Sequence, residues 1–224
     1  MPTNTHQPRF LKGALVAIDL ATEQRETIVF QYNPETVSRS VQPQTMGGET
    51  GAGSGAIRFT GAPVESYSLE VLIDATDQLE AGDAQARELG ILPKLAALEK
   101  LLYPRSQDVV RNARLLDQGS VEIGPYVAPL MLLVLGHARV LPVMLLGLEL
   151  REELFDNNLN PIRATVGLNM RALSYSDLAS DHKGYHLFLT YQRRKEDQAR
   201  KGLRAQPGGA IDAANKAADD LMQG

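Results

Sequence analysis

The chain has no cysteine and no tryptophan. The first absence excludes disulfides, cysteine-ligated zinc, iron–sulfur clusters and thiol nucleophiles, and it suits a reducing compartment such as the cytoplasm. The second, with an aromatic share of only 5%, leaves Leu, Val, Ile and Ala to fill the core. It also argues against the broad stacking platforms on which single-stranded nucleic acid is bound. Positive charge is not in surplus either: 23 basic against 27 acidic residues give a net charge of -4 and a pI near 5.6. Nothing global draws such a chain to phosphate backbones or anionic lipid, so nucleic acid is disfavoured as its main partner.

A secretory signal is also missing. The opening MPTNTHQPRFLKG has charge and prolines where a signal has an apolar stretch, which predicts folding where the chain is made and leaves any export to a larger assembly. Residues 126–148 imitate a membrane span in length and hydrophobicity. Pro129, Gly136, His137, Arg139 and Pro142 interrupt them, and Arg139 would sit near the bilayer midplane. Two buried strands around a turn are the better reading, without membrane insertion.

What is present is a globular composition, 43% hydrophobic over 224 residues, enough for one substantial core with decorated ends. Residues 11–20 and 26–32 are β-rich runs split by a polar stretch, which predicts a hairpin closed by Asn33-Pro34. From 36 to 63 the chain turns polar and glycine-rich, and a long mobile loop is expected. In 66–74, Tyr67, Leu69, Val71 and Ile73 alternate with Ser66, Ser68, Glu70, Leu72 and Asp74, the pattern of a strand with one buried face. Leu89, Leu92, Leu95, Leu98 and Leu102 then recur at helical spacing. One amphipathic helix is predicted over 82–103, with Pro93 in a first turn and Pro104 at its end.

Residues 127–135 and 139–155 read as strands. DNNLNP at 156–161 is a turn signal, and Ala164, Val166, Leu168, Met170 and Ala172 alternate beyond it, so 139–174 forms a long antiparallel hairpin. After Asp181 the pattern becomes helical and ends in the charged run 193–201. Gln206-Pro207-Gly208-Gly209 breaks the chain before a weak final helix. The fold class is mainly β, of the α+β kind, with a flanking helix and a helical C-terminal extension. The expected division is a β-domain at 1–180, carrying the 36–63 loop, and the extension at 181–224.

No catalytic, cofactor-binding or metal-binding residue emerges. His182 and His186 have metal-ligand spacing but no identifiable third ligand and no Glu of an HExxH motif. Gly51–Ala56 lacks the flanking strand and helix, and the Lys-Ser/Thr pair, of a phosphate loop. Ser54 lacks a full nucleophile elbow and assignable His and Asp partners. Glu149, Glu152, Glu153 and Asp156 fit solvent-facing strand and turn positions better than paired catalytic carboxylates. Arg193, Arg194, Lys195, Arg200, Lys201 and Arg204 are interleaved with Glu196 and Asp197, as on a solvated helix face or a docking surface.

Three stretches resemble a known family. Phe30–Ser40, following the strand pair, reads FQYNPETVSRS; Phe59-Thr60-Gly61 precedes SYSLEVLIDATD; and residues 139–173 carry FDNNLNPIRA within a hairpin. Together they are similar to the tube proteins of contractile injection systems, relatives of phage tails. The resemblance implies a tube fold: sheets rolled into a small barrel with a flanking helix, six copies closing into a ring. It implies a non-enzymatic part at the junction of inner tube and baseplate, with inner tube protein, spike or hub protein and other baseplate subunits as partners. The particle's compartment stays open. Adaptors of this family often add a cell-wall-binding LysM module, whereas this chain ends in a helical tail. The alternatives are a repeated inner-tube subunit and a pocketed β-barrel that binds a ligand.

Overall fold

The computed structural model describes residues 12–46, 57–119 and 126–222. Nine strands and six helices follow in chain order: β1 Ala14–Ile18, β2 Arg25–Val29, β3 Val37–Gln42, β4 Thr45–Met46, β5 Arg58–Phe59, β6 Val64–Asp74, α1 Thr76–Glu80, α2 Ala84–Leu89, α3 Leu92–Glu99, α4 Ser106–Asp117, β7 Leu130–Val134, β8 Val140–Phe155, β9 Pro161–Ala172, α5 Lys183–Arg204 and α6 Gly208–Met222. Seven strands form one sheet in the order β2-β1-β7-β8-β9-β6-β3, with every pairing antiparallel, and β4 pairs with β5 apart from it.

Strand order forces the sheet to roll. Its edge strands β2 and β3 are consecutive in the chain, joined only by Phe30–Thr36. The edges of a flat seven-stranded sheet lie roughly 29 Å apart at about 4.8 Å per step, while the seven steps from Phe30, whose N–H still bonds to Gly13, to Val37 span at most about 25 Å. The sheet therefore curls, and residues from both halves share one core: Leu15 of β1, Tyr67 and Leu69 of β6, Leu133 of β7 and Leu168 of β9. The side chains that alternate inward along β6 and β9 are those expected from the sequence, and Val166 and Leu168 are fully buried.

Helices close the two ends of the roll. Ile91, Leu95 and Leu98, from α3 and the residue before it, enter the core near the C-terminal end of β6, while Phe188 and Tyr191 of α5 enter it near the start of that strand. Residues 126–148 are β7, a turn containing Gly136 at φ 76°, and the first part of β8. No helix among the described residues is long and apolar enough to cross a membrane.

Two expectations need correction. The 36–63 loop contains β3, β4 and β5, with residues 47–56 outside the described region. The strand β3 escapes notice because only Val37 of its six residues is shielded, and Arg39, which pairs with a buried acid, stands between Val37 and the exposed Val41. The single helix over 82–103 is instead α2 and α3, broken at Gly90. There φ is +57°, and a Cβ would lie 2.2 Å from the carbonyl oxygen of Pro161. That oxygen accepts a hydrogen bond from the Ile91 N–H at 2.9 Å, so the strand β9 docks into the gap between the helices. The helices α1 and α4 lie where the sequence pattern predicts no element.

Candidate assembly site

The motif residues of the first segment build the closure of the roll. Phe30 is buried, and its N–H donates to the Gly13 carbonyl at 2.8 Å. The Gln31 amide then pairs twice with the backbone of Asp74, donating to its carbonyl at 2.8 Å and accepting from its N–H at 3.1 Å. The ladder of β3 ends at Leu69 of β6, so Gln31 supplies strand-like hydrogen bonds where no strand runs. Lys94 of α3 donates to the same amide oxygen at 3.2 Å and to Gln78 at 3.1 Å. Asn33 accepts from the Gly13 N–H at 2.8 Å and fixes the start of β1.

Asp74 opens the Asp-Ala-Thr-Asp run. One carboxylate oxygen accepts the Thr76 N–H at 2.7 Å; the other takes Arg163 Nε at 2.7 Å and Nη2 at 2.6 Å. Burial opposes its ionisation, but the hydrogen bonds from Thr76 and Arg163 outweigh it and hold its pKa below the usual value. In the hairpin loop Asp156 accepts from the N–H groups of Asn158 and Asn160, each at 2.8 Å, and from the Asn160 side chain at 2.9 Å. These bonds, led by those from Asn160, lower its pKa. Asn160 also donates to the Glu88 carbonyl at 3.0 Å, tying the loop to α2.

Pattern reading missed a buried charge cluster at the opposite end of the roll. Glu65 is fully buried. One of its oxygens accepts Lys195 of α5 at 2.5 Å; the other lies 3.2 Å from the hydroxyls of Tyr67 and Tyr191 and 3.5 Å from Arg39 Nε. The two hydroxyls are 2.7 Å apart. Burial, and then the bond to Tyr191, push the Tyr67 phenol well above its ordinary pKa. Three elements, β3, β6 and α5, thus meet on one carboxylate, whose partners lie up to 130 residues away.

The remaining candidates stay apart from any such centre. His182 caps α5, its Nδ1 accepting the Gly184 N–H at 3.0 Å, while His186 is exposed and packs edge-on against Tyr185. Among the described residues no group of three His, Asp or Glu side chains is placed to hold a metal. Glu149 and Glu152 are exposed along β8, and Glu153 pairs with Arg151 at 3.3 Å. Of the basic run, Lys195 belongs to the buried cluster and Arg200 pairs with Asp197; Arg193, Lys201 and Arg204 are exposed. Gly51–Ala56, Ser54 included, lies outside the described residues.

Surface is what the molecule offers. β2 and β3 have no outer strand partner among the described residues, and most of their side chains are exposed. Large apolar side chains stand in solvent on β4 and β5 (Met46, Phe59), on α4 (Val109, Val110, Leu116) and at the hairpin tip (Leu154, Phe155, Leu159). A sheet with two free edges and scattered apolar patches is suited to joining other subunits.

The sequence profile of the contractile injection system tube proteins matches residues 15–180. The chain belongs to that family. Its members are structural parts of phage-tail-like particles, and the matched region runs from β1 through the segment following β9. Among solved structures, the tube protein is similar to a chain in the tail of an empty gene transfer agent particle refined with C6 symmetry. That likeness has 16% identity, covers 71% of this chain and 90% of that one, and has a TM-score of 0.27. A second, to a chain in the virion of a native gene transfer agent particle, has 13% identity, the same two coverages and a TM-score of 0.24. Comparison with curated proteins gave no significant match.

Proposed function

We propose that this tube protein forms a homo-hexameric ring at the junction of inner tube and baseplate, linking the tube to the spike hub, and that it works by shape without catalysis. The observation that carries the adaptor reading is the C-terminus. Beyond Tyr191 no residue of α5 is buried, and α6 buries none at all. A ring that stacks on copies of itself needs both faces alike, whereas an adaptor decorates one face for a different neighbour. The edges β2 and β3 of one rolled sheet supply unlike surfaces for a heterologous contact that sixfold rotation closes.

Within this reading residues 1–180 form the ring and 181–224 the adaptor extension, with the first half of α5 as its root in the core. The roll is packed by Tyr67, Leu69, Leu168 and Met170, which argues against a ligand pocket inside it. The test is negative-stain electron microscopy of the full chain and of a variant ending at Ala205, each alone and co-expressed with tube and hub partners. Single sixfold rings are expected from both chains, with hub or tube capture by the full chain only. Continuous tubes from the full chain alone point to a repeated tube subunit. A persistent monomer that captures neither partner points to the ligand-binding barrel.

A further inference from the structure

At the tip of the β8–β9 hairpin, Leu154, Phe155 and Leu159 are 56%, 50% and 79% exposed. Both leucines have positive φ, 54° and 63°, a region that bulky residues seldom occupy. Leu159 donates its N–H to the Asp156 carbonyl at 3.1 Å, and Asp156 donates its own to Asn160 at 3.0 Å. In such loops the left-handed position is ordinarily glycine. A leucine there keeps a strained backbone and gains nothing from the chain's own core. The tip is nevertheless held rigidly: its loop carboxylate is fully engaged, and Asn160 and Pro161 anchor it to the α2–α3 junction. Strain, exposure and rigidity at one place describe a preformed knob.

The same chain carries an unpartnered helix face with a shallow groove along it. The helix α4 buries only Asn112. Val110 and Leu115 line an open groove along it, with Arg111 and Arg114 among the lining residues. Arg111 pairs with Asp108, but Arg114 has no ion-pair partner among the described residues. At the base of the knob Glu152 is likewise without one. The knob is apolar with one unpaired acid, Glu152, at its base, and the groove offers apolar Val110 and Leu115 beside one unpaired cation, Arg114.

We propose that the hairpin tip of one copy seats in the α4 groove of a second copy, Leu159 against Val110 and Leu115, with Glu152 facing Arg114. The two patches differ, so each copy offers one knob and one groove, and the contact is heterologous. This rests on the ring reading and names surfaces that meet in it.

The absence of native cysteine makes the test clean. Leu159→Cys and Val110→Cys chains are prepared separately, mixed, allowed to assemble and oxidised, with electron microscopy of the same sample. A disulfide-linked dimer is expected from the mixture and from neither variant alone. Leu159→Gly serves as a second variant: glycine suits the backbone, so it should melt no lower than the parent, yet self-association should weaken at least tenfold. Rings without the mixed dimer, or Leu159→Gly chains that associate like the parent, overturn the contact and leave the ring standing. Monomers without the dimer overturn both.

Discussion

Glu65 has no exposed surface, yet two cations and two phenols converge on it. A buried carboxylate is tolerated when every lone pair is engaged, and removing one member of such a cluster leaves the others uncompensated. Arg39 and Lys195 each keep about a third of their side chain in solvent, 35% and 31%, so on losing the acid they would partly rehydrate. Glu65→Gln keeps the shape and removes the charge. Its expected cost is about 2 kcal/mol, below the full penalty for a wholly buried pair, read as a lowered urea midpoint. An unchanged midpoint would mean that the cluster contributes no net stability. The phenols also explain why this centre has no sequence signature: Tyr67 sits in a strand pattern as an ordinary inward residue, and Tyr191 sits 124 residues later on a helix face.

Elements were legible where one face meets a continuous core. The alternation of Tyr67, Leu69, Val71 and Ile73, and of Ala164 through Ala172, survives in the structure residue for residue, because a slip of one position would turn each set outward. Legibility failed where a tertiary neighbour overruled a local pattern. The spacing of Leu89, Leu92, Leu95 and Leu98 runs smoothly through Gly90, and only the arrival of Pro161 from β9 shows why the helix stops there. Gly90→Ala should therefore lower stability by about 2–4 kcal/mol, through a strained φ and a backbone collision, measured by thermal melting. A melt equal to the parent's would show that the junction yields easily. The helix α4 went unseen for the opposite reason, since its apolar residues face little of the chain's own core. In the assembly site the motif stretches are visible as resemblance, but the edges, the closure by Gln31 and the tip geometry arise from tertiary contacts that no local pattern encodes.

For the whole molecule, acid is the simplest probe. Asp74, Asp156 and Asp177 are held below their ordinary pKa, and Asp19, hydrogen-bonded first of all to Arg105, falls from 3.8 to about 2. A depressed folded pKa means that the unfolded chain binds protons first. Stability from these groups is complete above the unfolded values and drains away as pH drops from about 4 toward 2. A urea midpoint that is level near neutrality and falls across that window is the expected result; a flat profile down to pH 2 would contradict the hydrogen-bonding scheme. The order of the sheet has another consequence, in time. The strand β1 pairs with β7, Ala14 opposite Val134, so the first hairpin synthesised finds its inner neighbour only after more than a hundred further residues have emerged. Such high contact order predicts slow folding, with the loop entropy spent before long-range pairing repays it. Until β7 arrives, Leu15 and Ala17 have no sheet to cover them, and the newborn hairpin is open to partners other than its own chain.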